Sequence, residues 1–182
     1  MRRALNALLP DDVWVADAHA MRDEFHARYS ATARGYSYYV GTDDEARSPF
    51  RRRTEWAVPR PLERDALDRA AVCLPGEHSF RAFAVRGTAP PDDDHRCAIR
   101  RADWRERPGG LVFRIEANRF LHHMVRFLVG TMIEAALGRR PVSDMEALLS
   151  APDNADVSAP APPHALFLDR VSYPAELYIP EA

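Results

Sequence analysis

The stretch Asn118–Arg140, NRFLHHMVRFLVGTMIEAALGRR, constrains the chain more than any other. Its spacing predicts a helix. Asn118 is a good N-cap, because its side-chain oxygen can accept a free N–H of the first turn. Gly138 offers a left-handed stop, and Arg139 and Arg140 suit the negative end of the helix dipole. At the helical period Phe120, Leu121, Met124, Val125, Leu128, Val129, Met132 and Ala136 cover most of the circumference. His122, Arg126 and Gly130 make one narrow row at i, i+4, i+8. A helix apolar on nearly every side belongs in a core. A guanidinium in its middle cannot lose its charge, so Arg126 must reach an anion or water. Two readings stand side by side. Arg126 snorkels to the surface or pairs with a structural carboxylate, or it faces something that approaches from outside the helix. Gly130, one turn on, leaves room for the second.

With 182 residues the chain has enough length for a real core, and it is read as a single domain, 1–182. Charged residues make up 29% and the net charge is -2, which excludes a bulk electrostatic footprint for nucleic acid. Any nucleic-acid site must be a local patch. All 25 basic residues are Arg, so every cation carries a planar fork suited to phosphate and carboxylate. Cys73 and Cys97 form no CxxC, and a reduced, cytoplasmic pair is the default. No apolar run reaches membrane-span length, and Met1-Arg2-Arg3 leads into no signal core. His122 and His123 are adjacent, which would splay them about 100° apart on a helix, so no metal is expected.

From the start, Ala4–Pro10 is a short apolar segment and Val13-Trp14-Val15 reads as a short strand. FHARYSATARGYSYYV, residues 25–40, alternates from Ala33, with Arg34, Tyr36, Tyr38 and Val40 on one face. Arginines beside aromatic rings are what an RNA surface needs: rings stack on unpaired bases and forks hold phosphates. Arg51-Arg52-Arg53 is a loop charge run, a solvated face or a phosphate contact. Pro61 opens a helix with Leu67, Ala70, Ala71 and Leu74 on one side, ended by Pro75-Gly76. Phe80 and Phe83 look like core, and Thr88–His95 is an acidic loop. Two strands, residues 97–106 and 111–117, flank Pro108-Gly109-Gly110 as a hairpin. Ser143-Asp144-Met145-Glu146 is a capping box for a short helix, residues 153–163 are a Pro/Ala-rich loop, and residues 165–173 are a last strand. Hairpins mixed with helices predict an α+β fold, a mixed, largely antiparallel sheet with helices packed on one face.

Three stretches in this order, FHARYSATARGYSYYV, ANRFLHHMVRFLVGTMIE and APPHALFLDRVSYP, closely resemble the tRNA pseudouridine synthase A (TruA-type) family. The segment N-x-F-L-x-H-M-V-R is long and specific, and with lesser matches at ALNALLPDDVWV and LPGEHSFRAF the resemblance spans nearly the whole chain. It implies a cofactor-independent isomerisation of uridine to pseudouridine in the anticodon arm of tRNA, by a cytoplasmic homodimer. It implies that Tyr36 contacts the target base and that Arg126 pairs with a nucleophilic Asp. Leu166 would be the apolar residue beside the active site, and Arg28, Arg34, His122 and His123, with Arg51–Arg53, would face RNA.

The chain departs from the pattern in one respect that matters most. The family's nucleophile lies in a segment resembling G-R-T-D-A-G-V-H, upstream of the match to ALNALLP, and no such segment occurs in these residues. Gly41-Thr42-Asp43-Asp44 is similar in letters only, since it follows the Tyr36 strand in a turn. Smaller departures are Ala165 for a usual Gly and Phe127 for a usual Asn. The expectation is the C-terminal two-thirds of a synthase, inactive alone, with Arg126 an unpaired charge in a weakly stable or water-filled site. The alternatives are a catalytically dead RNA-binding protein and one half of a split enzyme.

Overall fold

The computed structural model describes residues 2–88 and 92–180, so the middle of the expected acidic loop lies outside the described residues. These fall into two compact units. The smaller combines the chain up to Ala31 with the segment from Tyr173 onward. Helix α1, Arg2–Asn6, opens it. The strand expected at Val13-Trp14-Val15 does not form, and Trp14 is 75% exposed. The Asn6 amide accepts from Val15 N at 2.8 Å and donates to Val15 O at 3.0 Å, so it takes the backbone groups a ladder partner would need. Chain ends meet through a bridge between Met21 and Tyr178 and an edge-on contact of the Phe25 and Tyr173 rings.

The larger unit, Thr32–Ser172, is α+β around a six-stranded, mostly antiparallel open sheet. Its centre is β1, Ala33–Gly41, the predicted tyrosine strand. One edge of β1 pairs along its length with β5, Gly110–Ala117. The other edge is divided. Residues 33–38 pair antiparallel with β6, Leu166–Ser172, and residues 40–41 pair parallel with the two-residue β2, Trp56–Ala57. Beyond β5 lie β4, Arg96–Arg107, and the short edge strand β3, Gly76–Ser79. The β4–β5 hairpin forms as expected: Pro108 presets the first turn residue and Gly109, at φ 74°, supplies the left-handed second.

Alternation sorts the sheet into two faces. Tyr38, Phe113 and Trp104 align across β1, β5 and β4, with Tyr36, Ile115 and Ala102 in the next row. Arg100 is the extra residue of a bulge in β4, which lets Cys97 and Ile99 share an inward face with Ala102 and Trp104 despite the change of parity. Two helices cover this face: α2, Arg64–Val72, and α3, Met124–Ala136. Trp104 Nε1 donates to Met132 Sδ at 3.3 Å, and the Arg64 guanidinium donates to Trp104 O at 2.8 Å, so both helices are pinned to one strand. In α3 every residue except Arg126 and Glu134 is buried, as the apolar circumference predicts.

The ends of α3 divide the expectations. Its stop is as predicted: Gly138 takes φ 69°, its N–H donates to Ala135 O, and Arg139 N–H donates to Glu134 O, which together close a Schellman motif. Its start comes later. Asn118 continues the hairpin, because its Oδ1 accepts from Ala98 N at 2.9 Å and Arg119 N at 2.8 Å and is no longer free to cap a helix. The chain reaches α3 only at His123, an N-cap residue in the left-handed region at φ 63°. Helix α4, Asp144–Leu148, forms without its capping box, since Ser143 is itself helical and makes no side-chain cap. Asp144 pairs instead with Arg140.

Candidate active site

Three side chains descend the helix-facing side of β1 and meet two segments that flank α3 in sequence. Arg34 donates to Asn118 O at 2.9 Å. Tyr36 packs edge-on to Phe120, with ring centroids 5.0 Å apart. Tyr38, with no exposed surface, donates its hydroxyl to Pro162 O at 2.8 Å. Arg126, half-buried on α3, binds the adjoining residue: its Nε–H donates to Ala161 O at 2.6 Å, while Ala161 N–H returns a bond to Arg126 O at 2.9 Å. Consecutive carbonyls are thus held from the sheet and from the helix. Leu166 lies across from Tyr38 in the β1–β6 ladder and is half-buried against the core. Tyr36 is two residues along the same face of β1 from Tyr38, and Arg126 is near enough for its charge to act on the Tyr38 hydroxyl.

Electrostatics fit that geometry. Burial raises the Tyr38 hydroxyl above its usual range, and the nearby Arg126 charge opposes the rise only in part. Its neutral form is favoured by folding, so this contribution is present below the ordinary tyrosine range and is lost as pH climbs through the raised value. Burial also lowers His123 below the usual imidazole range, with Arg126 and then His122 adding to the effect. Arg126 Nη1 lies 3.1 Å from His123 Nε2. Both Nη2 donors and the second on Nη1 have no partner among the described residues, and no described carboxylate lies within ion-pair distance of Arg126.

The Arg126 guanidinium has hydrogen-bond partners but no counter-charge among the described residues. The guanidinium is propped by a carbonyl and an imidazole, with an open fork remaining. What occupies the space over Gly130 is the chain's own Ala159–Ala161 segment. Replacing Tyr38 with Phe leaves Pro162 O without its donor and should cost about 1 kcal/mol of stability. Urea unfolding checks this; an unchanged midpoint would mean the bond contributes nothing.

Other predicted residues lie differently. Arg28 is in the smaller unit, its guanidinium 5.6 Å from the Tyr29 ring centroid. The His122 and His123 rings are not splayed. They precede the helix and lie with centroids 4.1 Å apart and planes tilted by 38°, His122 being exposed. Arg51 is engaged within the fold. It binds both carboxylate oxygens of Asp43 at 2.8 Å, Gly109 O at 3.0 Å and the buried Glu55, which also takes Arg107. Arg52 and Arg53 are exposed. Asp43 caps the turn Asp44–Arg47, and the Arg51 hydrogen bond holds its carboxyl below the usual range, so it is tied into the fold. Among the described residues no group of three or more His, Cys, Asp or Glu converges as a metal site would need, and no helix is long and apolar enough to cross a membrane. Ala165 and Phe127, the two lesser departures, are both core residues.

Sequence reasoning missed His123 as a neighbour of Arg126, and Tyr38 with the carbonyls of Ala161 and Pro162 as the frame. The one available signal was the placement of Tyr38 two residues beyond Tyr36 on the same face.

A family profile described as tRNA pseudouridine synthase matches residues 70–174. A tRNA pseudouridine synthase A of Dictyoglomus turgidum is 36% identical over 173 residues, covering 95% of this chain and 69% of the relative. One of Bacillus velezensis is 38% identical over 170 residues, covering 93% and 68%. One of Halalkalibacterium halodurans is 39% identical over 167 residues, covering 92% and 62%.

Proposed function

The chain belongs to the tRNA pseudouridine synthase A family, and from that premise we propose that it serves the isomerisation of uridine in the anticodon arm of tRNA, with Arg126 taking the attacking acid. In that reaction the bond from uracil N1 to ribose C1′ breaks, the freed ring turns, a C5–C1′ bond forms, the C5 proton leaves and N1 takes one up. No cofactor enters the balance. The observation that carries the reading is the open fork of Arg126, set in an apolar helix and close enough to β1 for its charge to act on Tyr38. A carboxylate meeting it bidentately would be kept ionised, and the half-buried setting strengthens the attraction. Tyr36 would wall the flipped base and Leu166 would help keep the pocket dry. Arg28, Arg34, His122 and His123 are our candidates for RNA contact. Both units would form the C-terminal portion of one catalytic domain, acting in the cytoplasm as a homodimer.

These 182 residues contain no match to the family's G-R-T-D-A-G segment, so on their own they should bind tRNA without converting it. Tritium release from tRNA carrying 5-tritiated uridine is expected to be absent. Binding should weaken with salt, with a log–log slope of about −0.7 to −0.9 per phosphate neutralised. Steady tritium release by these residues would overturn the assignment of the acid. Salt-insensitive binding would overturn the phosphate-reading surface. Light scattering should report twice the chain's mass, and a monomer would remove the dimer.

A further inference from the structure

His123 stands in a conformation that L residues rarely adopt, φ 63°, at the entry to α3. Such a conformation persists where surrounding contacts over-determine it. The contacts are the tilted His122 ring at 4.1 Å, the Phe127 ring at 6.5 Å, and the Arg126 Nη1 at 3.1 Å. A guanidinium has donors and no lone pair, so in this last contact the imidazole Nε2 must be the acceptor. An imidazolium could not accept. We infer that His123 is a positioning residue, held as the neutral tautomer with its proton on Nδ1, and that its Nε2 and the Ala161 carbonyl together aim the open fork of Arg126.

The two supports act on different nitrogens. Ala161 O fixes Nε and His123 fixes Nη1, so the guanidinium plane cannot rotate about its long axis without losing one of them. What stays open is the outer edge, the geometry a carboxylate takes bidentately. The charged or titratable groups beside the ring are Arg126 and His122, and both disfavour the imidazolium. Because folding lowers its affinity for a proton, the contribution of His123 is present above the ordinary imidazole range and is lost as pH falls through the lowered value.

The inference rests on the reading of Arg126 as the receptor for the acid, yet its test does not require turnover. In the 182-residue protein, labelled at histidine and arginine nitrogens, the NMR spectrum at neutral pH should show His123 Nε2 unprotonated and Nδ1 protonated. Arg126 should show resolved Nη signals from slowed rotation. His123→Ala should collapse those signals to one average. His123→Gln, whose amide oxygen can accept in place of Nε2, should retain them. Acidification should collapse them in the unaltered protein, an arm that needs no variant. A proton on Nε2 at neutral pH, or Arg126 signals indifferent to both His123→Ala and acid, would overturn the inference. Either result would leave the role of Arg126 standing. Conversely, if Arg126→Gln spared turnover in a protein that includes the acid, the functional reading would fail while the His123 spectrum stayed as predicted.

Discussion

Phe113→Ala is expected to lower the stability of the folded chain by about 3–5 kcal/mol, the cost of emptying a large aromatic site that cannot fully collapse. Phe113 has no exposed surface. It sits between Tyr38 on β1 and Trp104 on β4, its ring centroid 5.1 Å from that of Trp104. Trp104 in turn is pinned to α3 through Met132, so a cavity at Phe113 loosens the contact that seats the helix on the sheet. Against the about 5–15 kcal/mol that holds a typical domain together, such a loss approaches the whole reserve. Urea unfolding should show a lower midpoint with an unchanged slope. Val72→Ala, at a residue 74% exposed on α2, should move the midpoint by no more than about 0.5 kcal/mol equivalent. Equal effects from the two substitutions would mean that the Phe113 row is not the core.

Gly130→Ala should cost about 3 kcal/mol, the upper end of what overpacking usually costs. A Cβ there overlaps the carbonyl oxygen of Ala159 and crowds Ala161 N at 3.3 Å. The obstruction is backbone, so no side-chain rotation relieves it. The segment must lift from the helix, and Ala161 O, the partner of Arg126 Nε, lifts with it. The variant should therefore lose slow exchange at Arg126 Nε–H as well as stability, and tRNA binding should fall less than stability does. Wild-type stability with a protected Nε–H would mean that residues 159–161 do not lie against α3.

The parts of this fold legible in the sequence are those where one periodicity runs long enough to outvote its neighbours. β1 alternates through Tyr36, Tyr38 and Val40, and α3 repeats its apolar positions over three turns. The Pro108-Gly109 turn and the Gly138 stop were legible because few residues other than glycine adopt φ near 70°. What stayed hidden was decided by partners distant in sequence. Asn118 has the chemistry of a helix cap, but the β4 backbone at Ala98 competes for the same oxygen and wins. Val13-Trp14-Val15 has the composition of a strand, but Asn6 takes the backbone groups of Val15. β2 and β3 span only two and four residues, too few for alternation to register.

The candidate site divides in the same way. Arg126 stood out because a charge interrupts an apolar circumference, whereas Tyr36 and Leu166 were singled out through the family resemblance. The supports of Arg126 did not stand out. His123 looks like half of a His pair, and nothing in its letters says that a left-handed turn will bring its ring back to a residue three places on. The carbonyls of Ala161 and Pro162 carry no side-chain signature at all. Arg51 shows the converse: a run of three arginines suggests a common role, but Glu55 and Asp43 draw the first into the interior and leave the other two in water.

The paired carbonyls of residues 161 and 162 behave as a hinge pin shared by two plates. Because Tyr38 grips one and Arg126 the other, any sliding of strand against helix must shear that joint before it can widen the gap between them. A ligand pressing on the arginine therefore pushes against the whole layered body. A defect placed far off in β1 should register as a change in the cation's mobility long before the chain unravels.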